Sequence, residues 1–410
     1  MHSAARLDTL GTEQAYVVLA AARRLEAAGH KVVHLEIGEP DMPTPPHVVE
    51  AGIRALRDGL TRYALAAGVP ELRDAIARSL AARGVRATAE NVVVTPGAKP
   101  ALFCTALSLI APGDEVLCPD PGFPIYESVV RFAGGRPVYY PLDETREFAP
   151  HVAAIAERIT PRTRVLILNL PHNPTGGVAT ARDLAALAEL AQRHDLWVIS
   201  DEVYGQIRYD GRRDSIAALP GMSDRTVIVD GFSKGYSMTG WRLGYGVMPA
   251  SLTEAMTTLI INNVSCTATF VQYAGIAALT GPQDAVTRMV AGLGTKRDLL
   301  VRGLNAIDGI SCASPAGAFY CFPDISGVLE RTGLTSKTFA ERLLAERHIA
   351  VLAGTAFGPG GEGHLRLCYA TEPAELERAL AAIRRFVGAL ERSPAGQVYP
   401  SSLGTSTATG

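Results

Sequence analysis

Apolar positions along the chain change their spacing from one stretch to the next, and each change predicts an element. Over 13–29, Ala15, Val18, Leu19, Ala22 and Leu25 share one face at helical spacing, and Gly29 ends the run. Val32-Val33-His34-Leu35-Glu36-Ile37 reads as a strand that stops at Gly38-Glu39-Pro40-Asp41. Pro43, Pro45 and Pro46 mark a crossing segment, with helices following at about 46–58 and 70–83. Pro70-Glu71 opens the second of these, since proline suits a first helical turn. From 92 onward short apolar runs alternate with helical patterns. The runs are Val92–Val94, Glu115–Leu117, Val138–Tyr140, Val165–Leu168, Trp197–Ile199, Val227–Val229 and Leu243–Val247, and the helices fall at 99–110, 124–133 and 181–193.

Such alternation implies an α/β fold, a mainly parallel sheet covered on both faces by helices. The near-continuous apolar run Val165–Leu168 fits a strand buried on both sides. After about 282 the texture changes: a long helix at about 282–305, short strands (Ile310–Cys312, Ala318–Cys321) and helices near 337–346 and 373–390 predict a smaller α+β domain. The expected organisation is an N-terminal arm with part of the small domain at 1–45, a large domain at 46–281, the small domain at 282–392 and a disordered tail at 393–410. The tail has too few apolar residues to pack.

Composition narrows the class. At 410 residues the chain can bury two joined cores. Lys plus Arg is 39 and Asp plus Glu is 41, so the formal charge is −2, which points to neither nucleic acid nor an anionic membrane. The six cysteines are scattered without a CxxC pair and read as buried thiols, not metal ligands, in a reducing compartment. No apolar run is long enough to span a bilayer, and no basic-then-apolar leader opens the chain, so a cytoplasmic location is expected.

Candidate chemistry centres on Asp230-Gly231-Phe232-Ser233-Lys234-Gly235-Tyr236-Ser237-Met238-Thr239-Gly240-Trp241-Arg242-Leu243-Gly244-Tyr245. One lysine sits among small and hydroxyl residues after an apolar strand, which suggests a loop with close backbone approach. A partly desolvated lysine loses proton affinity and becomes a nucleophilic amine, the requirement for condensing with an aldehyde cofactor. Arg242 suits bidentate contact with a phosphate. Thr95-Pro96-Gly97-Ala98-Lys99-Pro100 lies between a strand and a helix, where small residues let N–H groups meet a phosphate at the helix N-terminus. Asn173-Pro174-Thr175-Gly176 is at least a good turn. Asp201 ends a buried strand and needs a partner, either a cation or, as an N-cap, backbone N–H groups. Arg366 sits in an otherwise apolar strand and also calls for a partner. Phe123 reads as a core ring at a helix start, Tyr63 as a surface residue.

The Ser-Lys pair followed by Met-Thr-Gly-Trp-Arg-Leu-Gly-Tyr, together with Asn-Pro-Thr-Gly, resembles the class I/II aminotransferases, the fold-type-I pyridoxal 5'-phosphate (PLP) enzymes. The resemblance runs from about Gly38 to Leu390. It implies a large domain built on a mainly parallel seven-stranded sheet, a smaller α+β domain, and PLP held by Lys234. It assigns Gly97, Ala98, Lys99, Ser233 and Arg242 to the phosphate, and Phe123 and Val203 to the ring faces. Asn173 and Tyr204 fall to the phenolic oxygen, and Asp201 to the protonated pyridine nitrogen. Tyr63 would reach the phosphate of a second subunit, which implies a homodimer with shared sites. Gly38, Asn173 and Arg366 would bind the substrate, Arg366 by clamping its α-carboxylate. His172 is left without a catalytic role. One departure stands out: the family often has serine where this chain has Gly231.

The implied activity is amino-group transfer between an L-amino acid and a 2-oxo acid with ping-pong kinetics, Lys234 acting as base at the substrate Cα. Ile260-Ile261-Asn262-Asn263-Val264-Ser265 offers amides and no charge, which argues against strict aspartate specificity. Arg62, Gln14 or Tyr16 could compensate. A C–S β-lyase, or an oxidase or cyclase, would keep the same residues. A DNA-binding relative of the family is set aside, since only about 30 weakly basic residues precede the strand ending at Ile37-Gly38.

Overall fold

A computed structural model describes residues 4–390. The tail at 393–410 lies outside them. The chain forms two compact units. One gathers the residues up to Gly11, Glu39–Gly292 and Ala316–Ala318; the other gathers Thr12–Gly38, Leu293–Pro315 and the residues from Phe319 on.

The first unit is built on seven strands: β1 (Val92–Thr95), β2 (Glu115–Asp120), β3 (Arg136–Pro141), β4 (Thr163–Asn169), β5 (Trp197–Asp201), β6 (Thr226–Gly231) and β7 (Gly244–Val247). Their spatial order is β1-β7-β6-β5-β4-β2-β3. Every pairing is parallel except those of β7, which runs antiparallel to both β1 and β6. This is the mainly parallel seven-stranded α/β sheet that the sequence predicts.

Period-2 geometry explains why these strands are apolar throughout. Val93, Val227 and Val229 enter one core, with side chains from helices Ala98–Leu109, Ile125–Phe132 and Ala250–Asn263. Val92, Val94 and Ile228 enter the other, with helices Pro46–Arg57, Pro70–Ala81 and Thr269–Thr280. Each buried Val or Ile contributes roughly 1.5–3 kcal/mol.

In the second unit Val33–His34 pairs in parallel with Ile349–Ala350. Leu365–Cys368 runs antiparallel to both Leu352–Ala353 and Tyr320–Cys321. Helices Gln14–Ala27, Ser326–Thr332, Ser336–Arg347 and Pro373–Leu390 belong to the same unit. Phe339 and Phe386, from two of them, meet edge to face at 5.1 Å. The run 32–37 is a strand only at Val33–His34, and Ser311 forms a lone bridge with Asp324. Helices Ala250–Asn263 and Thr269–Thr280 have no counterpart among the expected elements. Thr269–Thr280 (TFVQYAGIAALT) lacks a charged face, so no period marks it. Among the described residues no helix is long and apolar enough to cross a membrane.

Candidate active site

Backbone crowding in the first unit converges on Arg242. Gly97 has φ +95° and caps helix Ala98–Leu109. A Cβ at Gly97 would strike the Arg242 guanidinium, and one at Gly244 would strike Ala98 N and Gly97 C. Gly97 is required by its left-handed backbone, and Gly244 by close approach of the Gly97–Ala98 backbone. Arg242 itself has φ +54°, and its Nη1 donates to Thr239 O at 2.9 Å. A guanidinium is thus laid against a helix N-terminus whose first N–H groups carry partial positive charge, a geometry that suits an anion. A cavity of about 750 Å³ borders it, lined by Arg242, Trp241, Pro96 and Phe270 among others. Gly231 abuts Gly244 Cα and Leu243 O, each 3.1 Å from where its Cβ would lie. A side chain there would need its neighbours to give by a few tenths of an ångström.

Asp201 ends β5 and is 6% exposed. Tyr126 Oη donates to its Oδ2 at 2.6 Å, and Val203 N–H to its Oδ1 at 3.3 Å. Burial pushes its carboxyl up to about 6, against the lowering effect of Tyr126, the Val203 N–H and the Lys234 charge. Asp201 is not an N-cap: turns follow it, not a helix. Lys234 is half-buried, with Nζ 5.9 Å from the Tyr204 ring centre. Val203 and Ser233 are half-buried and Tyr204 is buried.

Asn173 is buried, and its N–H donates to Asn169 Oδ1 at 2.8 Å. The Asn169 amide Nδ2 in turn donates to Asp201 O at 3.2 Å. The β4 register explains this, since Asn169 lies opposite Asp201. His172 is buried, with Nδ1 2.8 Å from Thr175 Oγ1, and burial pushes it down to about 3. It stays neutral at working pH. Lys99 is exposed with Nζ 5.6 Å from the centre of the half-buried Phe123 ring, and Phe123 meets Tyr126 edge to face at 5.6 Å. Tyr63 is 89% exposed.

In the second unit Arg366 is buried between two aromatic faces. Its Cζ lies 4.5 Å from the Tyr320 ring centre and 5.1 Å from that of Phe357, and Nη2 donates to the Glu36 carbonyl. Flat aromatic faces hold a guanidinium plane by cation–π attraction. A Cβ at Gly38 would strike the Tyr320 hydroxyl, so that glycine too is required by close approach.

Sequence reasoning missed Tyr126, Asn169, Tyr320 and Phe357. Asn169 carried a signal, a polar residue ending an apolar strand. Tyr126 did not, because a tyrosine three residues after Phe123 looks like any core ring.

The aminotransferase class I and II family model matches residues 30–383. The chain belongs to that family. It is 43% identical over 360 residues to an aspartate aminotransferase of Pyrococcus abyssi, covering 86% of this chain and 91% of the relative. It is 40% identical over 354 residues to aromatic-amino-acid aminotransferase 2 of Thermococcus litoralis, covering 85% and 90%. Among solved structures, an alanine aminotransferase from Pyrococcus furiosus superposes with TM-score 0.89 at 34% identity, covering 95% of this chain and 100% of the other. This class I/II aminotransferase uses pyridoxal 5'-phosphate, and its substrates are amino acids and 2-oxo acids.

Proposed function

We propose that the chain carries amino groups between an L-amino acid and a 2-oxo acid in two half-reactions, with the residue roles that follow. One observation carries the assignment. Asp201 is a buried carboxylate raised by burial and contacted by a hydroxyl and an N–H, an environment that among the described residues holds no contacting cation and fits a protonated pyridine nitrogen. The phosphate fits the Gly97–Ala98–Lys99 helix start with Arg242 against it, Ser233 alongside. Phe123 and Val203 would flank the ring, and Asn173 and Tyr204 would donate to its phenolic oxygen.

When bound, PLP supplies the electron sink for the substrate's Cα electrons. Lys234 Nζ would hold the cofactor, and its free amine would take the substrate's Cα proton. Arg366 meets the α-carboxylate with its planar fork, kept in plane by Tyr320 and Phe357. Gly38 adds a backbone contact. Tyr63, exposed in a single chain, serves the cofactor phosphate of a second copy in a homodimer. The location is cytoplasmic. We further propose a large domain at 46–281 and a small one at 282–392 with part of 1–45, limits near those of the compact units, which divide at Gly38/Glu39 and at Gly292/Leu293.

The named relatives act on aspartate and on aromatic amino acids, so the family leaves the side-chain preference open. Ile261–Ser265 is exposed and offers Asn262, Asn263 and Ser265 without a charge, which supports acceptance of uncharged side chains. The test adds single amino acids to the PLP-loaded protein without an acceptor. Stoichiometric 2-oxo acid from an aromatic or aliphatic amino acid is the expected result. Ammonia or sulfide in place of retained amino nitrogen would make it a lyase instead. Lys234→Ala should lose the borohydride-reducible protein adduct, and a surviving adduct would remove the lysine from its role.

A further inference from the structure

A second cavity of about 740 Å³ opens in the first unit, and none of the residues assigned above to cofactor or substrate lines it. Its wall carries four arginines, Arg78, Arg83, Arg212 and Arg213. Asp214 is the only carboxylate among the residues lining it. That carboxylate is already engaged, by Arg212 Nε at 2.9 Å and Arg208 Nη1 at 3.4 Å. Arg83 is committed inward, to Glu202 and to Asp230 at 3.9 Å. Arg78 and Arg213 are different. Both are exposed, and neither has a carboxylate within ion-pair distance among the described residues.

The N-terminus of helix Ala181–Arg193, whose first residue lines the cavity, adds nothing to the field, because the Thr180 hydroxyl and the Asp183 carboxylate already cap it. One further feature does add to it. Arg213 is near enough to the interior that its charge bears on both Asp230 and Tyr236. The rest of the wall is partly apolar, with Leu184 and Leu279. Arg78 and Arg213 share one concave wall without a carboxylate partner among the described residues, an arrangement that raises the local concentration of anions.

We propose that this cavity binds a phosphate monoester with an apolar body, at a site separate from the cofactor's own phosphate cradle. A phosphate dianion presents enough oxygens to meet the Arg78 and Arg213 guanidinium forks together, whereas a monocarboxylate has two oxygens and is filled by one fork. The apolar body would lie on the leucine side of the wall.

The test is calorimetric titration of the PLP-loaded full-length protein, so that the cradle beside Arg242 is filled before any probe is added. The probes are phenyl phosphate, inorganic phosphate and benzoate. Phenyl phosphate should bind once per chain, at least tenfold tighter than benzoate, and tighter than inorganic phosphate by the contribution of its ring. Arg78→Gln with Arg213→Gln should weaken it at least tenfold. Each single change should weaken it by a smaller factor, which keeps the test open if the double variant folds poorly. Arg366→Ala should leave the affinity unchanged. Saturable binding that is unaltered by the arginine changes, equal affinity for benzoate, loss of binding in Arg366→Ala, or no saturable heat at all would each overturn the assignment. Binding is read directly, so the outcome does not depend on which amino acid the enzyme prefers.

Discussion

Two buried aspartates stand near the ends of neighbouring strands, and they have opposite surroundings. Asp201 ends β5 and pairs in register with Val229 of β6, so Asp230, one residue on, points to the other face of the sheet. Asp230 accepts from Gly231 N at 2.6 Å and from Tyr245 Oη at 3.1 Å, and Arg83 lies 3.9 Å away. Burial pushes it up to about 7, with Arg83 pulling down and Glu202 pushing up. Asp201 has neutral donors in contact, and among the described residues no Lys, Arg or His lies within ion-pair distance of it. One face of the sheet carries its own cation. The other offers a buried carboxylate that a cationic ligand would complete. That asymmetry, more than burial alone, supports the proposal that the Asp201 face takes the protonated ring nitrogen.

The sharpest way to break the comparison is to neutralise each aspartate in turn. Asp201→Asn keeps the volume and removes the charge facing the proposed pyridinium. Removing one partner of a buried charge pair costs about 3–5 kcal/mol, which is roughly 10²–10⁴-fold in kcat. Asp230→Asn leaves Arg83 paired with Glu202, so kcat should change by no more than a few-fold. Steady-state kinetics on both variants with saturating PLP decides it. Equal losses would mean that the two faces are not chemically distinct.

The sheet was legible because its strands are apolar in both pleat phases, and the register of Asn169 with Asp201 follows from strand ends that the apolar runs locate. Lys234, Arg242 and Asn173 announced themselves by neighbours of unusual type. The support for those residues was hidden. Tyr126 is distant from Asp201 in sequence and acts through one hydroxyl, while Tyr320 and Phe357 act through ring faces that any core position would also bury. Arg83 reads as a solvated helix-end charge, yet its side chain is 6% exposed and bridges Glu202 and Asp230. Periodicity reports which face is buried, not which polar atoms meet there. The same limit hid helix Thr269–Thr280, which has no charged side to contrast with its buried one.

A smaller effect should appear in stability. Both aspartates have folded-state values above their ordinary 3.8, Asp201 at about 6 and Asp230 at about 7. Near pH 4 and below, folded and unfolded chains both tend to hold these protons. As pH rises from about 4, the unfolded chain releases them first, so this contribution to stability falls until the folded value is passed. For Asp201 the loss amounts to about 3 kcal/mol, two units at about 1.4 each. Cofactor-free protein should therefore lose stability between pH 4 and 6 relative to Asp201→Asn, and between pH 4 and 7 relative to Asp230→Asn. Adding PLP should flatten the first difference and leave the second. Denaturant midpoints across that range measure it, and a PLP effect on the Asp230 difference alone would reverse the assignment of faces.

The smallest expected effect tests what holds Asp201 ready. Tyr126→Phe removes one hydroxyl donor from a charged acceptor, an interaction worth about 1.5–3 kcal/mol, part of which water or a shifted side chain can replace. The Tyr126 hydroxyl lowers the Asp201 carboxyl, so its loss should move that group higher still and weaken PLP binding about tenfold. The loss should ease as pH rises and Asp201 ionises regardless. The control is the same change made in Asp201→Asn. If the hydroxyl works through the carboxylate, Tyr126→Phe should then cost little more, because the charged acceptor is gone. If it costs as much as in the wild type, Tyr126 is a packing residue. The distinction between the two aspartates would then rest on Arg83 and its neighbours, not on anything built at the Asp201 face.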